Sequence, residues 1–143
     1  MYKEILAKIK EYDHITIFRH QRPDGDCMFS AMAMEQFIKD NFPQKKVKVG
    51  GFDTYDLVSR NDKISEKFIK ESLALVLDNS RADRMDDERG LKASYVIKID
   101  HHPPVDNYGM INLVDPKAAA CGEILAKMFM SKDFKDLLLS EKT

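Results

Sequence analysis

Residues 14–26 carry the sequence His-Ile-Thr-Ile-Phe-Arg-His-Gln-Arg-Pro-Asp-Gly-Asp, in which an alternating apolar run leads into a tight Pro/Gly turn. Apolar, helix-forming residues follow, so the pattern predicts a strand, a turn and then a helix over about residues 27–40. This order places His20, Asp24 and Asp26 at the carboxyl end of the strand. Open α/β sheets bind their ligands at that end. The stretch therefore predicts both a fold class and the position of a site.

The turn is suited to bringing two carboxylates into one small volume. Pro23 fixes one φ angle, and Gly25 permits a backbone conformation that other residues avoid. Asp24 and Asp26 flank that glycine, and like charges at close range need a counter-charge. A divalent metal ion supplies it most directly.

Two further apolar runs, at 73–77 and 95–99, end in residues of the same ligand types. Asp78 follows the first, and Asp100, His101 and His102 follow the second. The run at 73–77 is continuously apolar, which is typical of a strand covered on both faces. Because the carboxyl ends of neighbouring parallel strands meet along one edge, we expect these side chains to meet in space.

The remaining pattern predicts an α/β fold, with a doubly wound, mostly parallel sheet and helices on both faces. The further predicted elements are, in chain order, a helix at 2–11, a strand at 14–19, a strand near the sheet edge at 45–50, a mixed segment at 54–70, a charged connector at 81–89, a short extended piece at 111–114 and a helix at 118–130.

The composition is that of an ordinary globular domain, with 143 residues of which 43% are hydrophobic and 33% charged. A formal charge of -1 and a pI near 6.4 argue against binding of long duplex nucleic acid. No apolar run approaches the roughly 20 residues of a membrane span, so a cytoplasmic protein is expected. Cys27 and Cys121 match no zinc spacing, and we expect both to be reduced packing residues.

Three or four carboxylates with two histidines and few sulfur ligands suit hard or borderline cations better than a structural zinc, so we expect two divalent ions, Mn²⁺ or else Mg²⁺. Two such ions about 3.5–4 Å apart can activate a water and clamp a phosphoryl oxygen. The residues therefore predict a hydrolase of phosphate esters or anhydrides.

Taken together, the three motifs resemble those of the DHH phosphoesterase superfamily over about residues 13–125. The sequence Arg-Pro-Asp-Gly-Asp is most similar to the corresponding motif of the oligoribonuclease (nanoRNase) and phosphoadenosine-phosphate phosphatase branch of this superfamily. The resemblance assigns each residue a role: His20 and Asp24 hold the first metal, Asp26 and His101 the second, Asp78 bridges both, His102 contacts the phosphate, and Asp100 orients a neighbouring histidine.

The resemblance implies a manganese-dependent, nucleotide-binding exonuclease that acts on very short RNA, or on adenosine 3′,5′-bisphosphate. The family's fourth motif and its second, substrate-binding domain are not found in residues 1–143. We therefore expect an N-terminal domain that is incomplete at its C-terminal end, with weak or no turnover alone. The alternatives are hydrolysis of pyrophosphate, polyphosphate or cyclic dinucleotides, or an inert nucleotide-binding fragment. An unpaired sheet edge would favour a homodimer.

Each motif also has a structural interpretation. The first could be a helix-capping turn with Asp26 as N-cap and Asp24 solvated. Asp78 could form a turn, and His101 and His102 could be a surface pair ahead of two prolines. Asp115 precedes a proline and is expected to open a turn rather than replace a missing ligand. Arg81 and Arg84 could anchor a phosphate or a ribose, or belong to a solvated charged loop.

Overall fold

Five parallel strands and four α-helices make up the part of the chain that the computed structural model describes, residues 1–53 and 61–143. The helices are α1 (Tyr2–Glu11), α2 (Gly25–Asn41), α3 (Glu66–Lys70) and α4 (Cys121–Phe129). The strands are β1 (His14–Phe18), β2 (Lys46–Val49), β3 (Leu73–Leu77), β4 (Tyr95–Asp100) and β5 (Ile111–Val114). Short 3₁₀ helices occur at Ala82–Arg84, Glu88–Lys92 and Lys132–Phe134.

The strand order is β2-β1-β3-β4-β5, and every neighbouring pair is parallel. The chain moves outward from β1 to β2 and then returns across β1 to β3. This reversal makes the gap between β1 and β3 the topological switch point, where such sheets form a crevice at their carboxyl edge. The predicted α/β, doubly wound parallel fold is confirmed, and β2 lies at an edge as expected.

Apolar layers cover both faces of the sheet, because successive strand side chains point to opposite sides. Leu73, Leu75 and Leu77 join a cluster with the apolar faces of α1, α2 and α4, whereas Ala74 and Val76 join a second cluster on the other face. The first cluster includes Phe37 and Phe129, which stack with ring centroids 4.1 Å apart. The second includes Phe18, Ile69 and Met85.

Element boundaries differ from the predictions where a side chain caps a helix. Helix α2 begins at Gly25 rather than 27, because the Asp24 carboxylate accepts a hydrogen bond from the Cys27 N–H at 3.0 Å. Helix α4 begins at Cys121 rather than 118, after a turn that Asp115 opens by accepting from the Lys117 N–H. The mixed segment predicted at 54–70 falls partly outside the described residues, and α3 occupies its end.

None of the helices among the described residues is both long and apolar enough to span a membrane. Among the strands of the described residues, β2 pairs only with β1 and β5 only with β4, so these two strands form the sheet margins. These are the edges through which a homodimer is predicted.

Candidate metal centre

Ligand-type side chains from three adjacent strands meet at the carboxyl edge of the sheet. They are His20, Asp24 and Asp26 after β1, Asp78 after β3, and His101 and His102 after β4. The Asp78 carboxylate lies at their centre, with Oδ2 3.5 Å from His20 Nε2 and Oδ1 3.2 Å from His101 Nε2. The structure therefore brings together side chains that are 81 positions apart in the chain, from 20 to 101.

Asp78 is held in an unusual position. Its side chain is only 2% exposed, and its backbone has φ 56°, a left-handed conformation that aspartate tolerates better than most residues. Oδ1 is buried and, within residues 1–53 and 61–143, makes no hydrogen bond of acceptable geometry. Burial raises the pKa of Asp78, and the nearby Asp26 and Asp24 carboxylates raise that pKa further, while His20 opposes them. The buried Asp78 carboxylate thus has an oxygen that a bound cation could satisfy.

His20 directs one ring nitrogen into the cluster. Its Nδ1 lies 2.6 Å from the Gln21 carbonyl oxygen, which can only accept, so Nδ1 carries a proton. Nε2 is left facing Asp78, and Asp24 Oδ1 lies 3.9 Å away. The Asp78 carboxylate, helped by the Cys27 thiol, raises the pKa of His20 to about 11. The tautomer is the one that leaves Nε2 as a metal ligand when the ring is neutral.

Asp24, not Asp26, is the N-cap of α2, so the capping interpretation named the wrong aspartate. Asp24 accepts from the Cys27 N–H through Oδ1, yet its side chain remains 67% exposed. The second oxygen is free to meet a ligand from solvent. Capping and metal binding are therefore compatible at this residue, because a carboxylate offers more than one acceptor site.

Asp26 instead reaches across to the start of α4. Its Oδ2 accepts from the Cys121 N–H at 2.8 Å, and its Oδ1 accepts from the Gly122 N–H at 3.1 Å and from the Ser30 hydroxyl at 3.3 Å. The N-cap of α4 is Ala120, which supplies no side-chain acceptor. Asp26 thus caps a helix 95 positions away, where the helix dipole favours a negative charge. Local sequence carries no signal for this contact.

His102 is positioned by a buried carboxylate. Its Nδ1 lies 2.7 Å from Asp100 Oδ1, and Asp100 is fully buried at the end of β4. Lys98 Nζ lies 3.8 Å from Asp100 Oδ2 and donates to the carbonyl oxygens of Ser80 and Asp106, both at 2.8 Å. Burial lowers the pKa of Lys98, whereas Asp100 raises it. Sequence reasoning found Asp100 and His102 but missed the lysine behind them.

Outside residues 54–60, two groups of side chains have ligand atoms that all lie within 4.8 Å of one another: His20 with Cys27 and Asp78, and Asp78 with His101 and His102. The imidazole-to-carboxylate separations of 3.2 to 3.8 Å around Asp78 are mostly longer than ordinary hydrogen bonds. Such spacing suits ligands that share a cation more than groups that bond to each other. The donor set and the unpaired Asp78 oxygen fit a divalent metal.

The predicted substrate-binding arginines flank the 3₁₀ helix after β3, with Arg81 as its N-cap and Arg84 as its last residue. Arg81 places its guanidinium against the Asp83 carboxylate at 2.7 and 3.0 Å, with both side chains exposed. Arg84 has an exposed side chain, and its carbonyl oxygen accepts from the Gln21 N–H at 2.7 Å. This helix therefore lies beside the loop that carries His20.

The chain is similar to curated proteins over most of its length. A Streptococcus mutans protein, named a probable bifunctional oligoribonuclease and PAP phosphatase NrnA, is 41% identical over 136 residues, covering 94% of this chain and 44% of the relative. A Bacillus subtilis protein, named a bifunctional oligoribonuclease and PAP phosphatase NrnA, is 29% identical over 132 residues, covering 91% and 42%. The chain thus spans less than half the length of these relatives.

A solved structure shares the fold. It is an exopolyphosphatase-related protein from Bacteroides fragilis, with a TM-score of 0.77 and 21% sequence identity, covering 95% of this chain and 45% of that one. At this identity the likeness extends to the fold alone. It agrees with the parallel sheet described above.

The model of a known family, described as the DHH family, N-terminal domain, matches residues 14–142. The match begins at the first residue of β1 and includes all three clusters of ligand-type residues. The resemblance inferred from those clusters is confirmed. This chain belongs to the DHH family.

Proposed function

We propose that this chain forms the metal-binding part of a phosphoesterase that hydrolyses very short oligoribonucleotides and adenosine 3′,5′-bisphosphate. The supporting observation is the convergence of the ligand-type side chains from β1, β3 and β4 around the buried Asp78 carboxylate. The names of the Streptococcus and Bacillus relatives supply the substrate class. The proposed setting is the cytoplasm, and the proposed partner is a short RNA or a nucleotide.

The geometry around Asp78 supports the following ligands for two divalent ions, Mn²⁺ or else Mg²⁺. We assign His20 and Asp24 to the first ion, Asp26 and His101 to the second, and Asp78 to both. Asp78 faces His20 with one carboxylate oxygen and His101 with the other, an orientation that suits a bridging ligand. A carboxylate-rich set with imidazoles matches the preference of these cations for oxygen and nitrogen donors.

Bound ions of this kind lower the pKa of a water and neutralise charge on a phosphoryl group. The protein's own contribution is to hold the ligands in place before substrate arrives. The backbone N–H groups of α4 fix Asp26, and the Cys27 N–H fixes Asp24. Held this way, the carboxylates lose little conformational freedom on binding, which is the benefit of preorganisation.

His102 is assigned to the scissile phosphate. We assign the proton of the 2.7 Å contact with Asp100 to His102 Nδ1, with a carboxylate oxygen as acceptor, so that Nε2 remains to meet the substrate. The side chain is 43% exposed, so a phosphate can reach it. Lys98 Nζ lies 3.8 Å from the other oxygen of Asp100. Asp100 and Lys98 therefore act as positioning residues.

Arg81 and Arg84 are assigned to the phosphate or ribose of the substrate. Their 3₁₀ helix contacts the loop after β1 through the Arg84 carbonyl, and both guanidinium groups are exposed. A substrate phosphate would compete with the Asp83 carboxylate for Arg81, because a guanidinium group binds carboxylates and phosphates in a similar bidentate geometry.

The test is hydrolysis by this chain, in Mn²⁺, of a ribodinucleotide, adenosine 3′,5′-bisphosphate and pyrophosphate. We expect slow cleavage of the first two, and a loss of about 100-fold in rate for His102→Gln, the scale for removing one group that stabilises transition-state charge. His14→Gln is the matched control, because His14 stacks on Phe68 at the opposite, amino-terminal end of β1. Cleavage of pyrophosphate alone would overturn the assignment. Mn²⁺ binding without any cleavage would favour an inert nucleotide-binding domain.

A further inference from the structure

Cys27 occupies a different environment from the other cysteine. Both thiols are free and fully buried. Cys121 belongs to the apolar cluster between α2, α4 and the sheet, and its sulfur donates to the Ile99 carbonyl oxygen at 3.5 Å. Cys27 belongs to neither of the two apolar clusters formed by the described residues. Simple packing in the core therefore explains Cys121 but not Cys27.

The start of α2 explains where the Cys27 thiol lies. Asp24 is the N-cap, and its carboxylate binds the Cys27 N–H, which places Cys27 in the first turn. Side chains on a helix lean toward its amino end, so this one leans toward the loop that carries His20. The sulfur lies within 4.8 Å of the ligand atoms of both His20 and Asp78.

A second observation concerns the Asp78 carboxylate itself. Asp78 is 2% exposed, and its Oδ1, on the side of His101, lacks a hydrogen bond among the residues that the structure describes. Its Oδ2 lies 3.5 Å from His20 Nε2, on the side of Cys27. A buried carboxylate oxygen with no partner is costly unless a cation or donor satisfies it. Cys27 and His20 are the neighbouring donors on the β1 side of this carboxylate.

We propose that Cys27 is a further ligand of the ion held by His20 and Asp78, and that it makes this position selective for a thiophilic cation such as Zn²⁺ or Cd²⁺. The inference deepens the proposed metal site and rests on it. A thiolate is a softer donor than a carboxylate or an imidazole, so it strengthens binding of these cations far more than of Mn²⁺ or Mg²⁺. The thiol proton passes to solvent as the cation binds.

The experiment titrates this chain with Cd²⁺ under reducing conditions and follows the ultraviolet absorption of sulfur-to-cadmium charge transfer. Mn²⁺ binding is measured separately by calorimetry. We expect the charge-transfer band in the wild type and its loss in both Cys27→Ser and Cys27→Ala. The Cd²⁺ affinity of these variants should be about 10–100-fold weaker, because even the loss of a group that supports a metal ligand weakens binding by this factor. Cys121→Ala is the matched control and keeps the band.

The outcomes separate this inference from the proposed function. Mn²⁺ binding without a charge-transfer band, or a band that survives in both Cys27 variants, overturns the role of Cys27 and leaves the proposed metal site standing. Failure to bind either Mn²⁺ or Cd²⁺ overturns both. A band that disappears only in Cys121→Ala would identify Cys121 as the thiol ligand and would overturn the role of Cys27. Unchanged Mn²⁺ affinity in Cys27→Ala, together with the lost band, supports selectivity as proposed.

Discussion

Replacing Asp78 with asparagine should remove most of the stabilisation of this domain by Mn²⁺. The substitution keeps the size of the side chain and removes its charge. Asp78 lies 3.5 Å from His20, 3.2 Å from His101 and 3.8 Å from His102, so the amide would weaken both proposed ion positions at once. Within residues 1–53 and 61–143, Asp78 is the one acidic side chain that lies within 4.0 Å of all three of these histidines.

The size of the effect follows from mass action. A cation at about 100 times its Kd stabilises the folded state by about 2.7 kcal/mol. In a domain of this size, each kcal/mol of stabilisation raises the Tm by about 2–4 °C, so Mn²⁺ should raise the wild-type Tm by about 5–11 °C. If the variant binds about 100-fold more weakly, the cation is only near its Kd. The stabilisation then falls to about 0.4 kcal/mol, or a rise of about 1–2 °C.

The assay is a thermal melt of wild type and Asp78→Asn, each with Mn²⁺ and with chelator. Asp83→Asn is the control, since it removes one carboxylate from an exposed pair with Arg81 outside the cluster. It should keep the wild-type Mn²⁺ shift. A full Mn²⁺ shift in Asp78→Asn would refute the bridging role of this residue, and an equal loss in Asp83→Asn would show a non-specific effect of charge.

Two further substitutions test the surroundings of the site. Asp24→Asn should leave the free energy of unfolding without metal within about 0.5 kcal/mol of wild type, because asparagine caps helices as well as aspartate does, yet it should weaken Mn²⁺ binding by at least about 10-fold in calorimetry. Equal Mn²⁺ affinity would restrict Asp24 to capping. Lys98→Met should lower the free energy of unfolding in urea by about 3–5 kcal/mol, because it leaves the buried Asp100 carboxylate without its cation. A change below about 1 kcal/mol would show that Asp100 is not held as an anion.

Much of the fold could be predicted from local pattern because each strand is short and clearly bounded. The continuous apolar run 73–77 is buried along its whole length, and the lysine-alternating run became the edge strand β2. Helix boundaries were less predictable, since capping depends on which of two neighbouring aspartates turns toward the helix. The pattern around Gly25 favoured Asp26, and the structure has Asp24.

The order of residue types along the chain was enough to predict the fold class, the family and the residues that gather at one edge of the sheet, because parallel strands bring the residues that follow them to the same side. How those residues are held could be read only from the packed molecule. Asp26 is fixed by the N–H groups of α4, Asp100 is backed by Lys98, and Cys27 is turned toward His20 and Asp78. These contacts join residues from separate elements, and their geometry depends on how helices pack on the sheet. No local pattern of residue types encodes that packing.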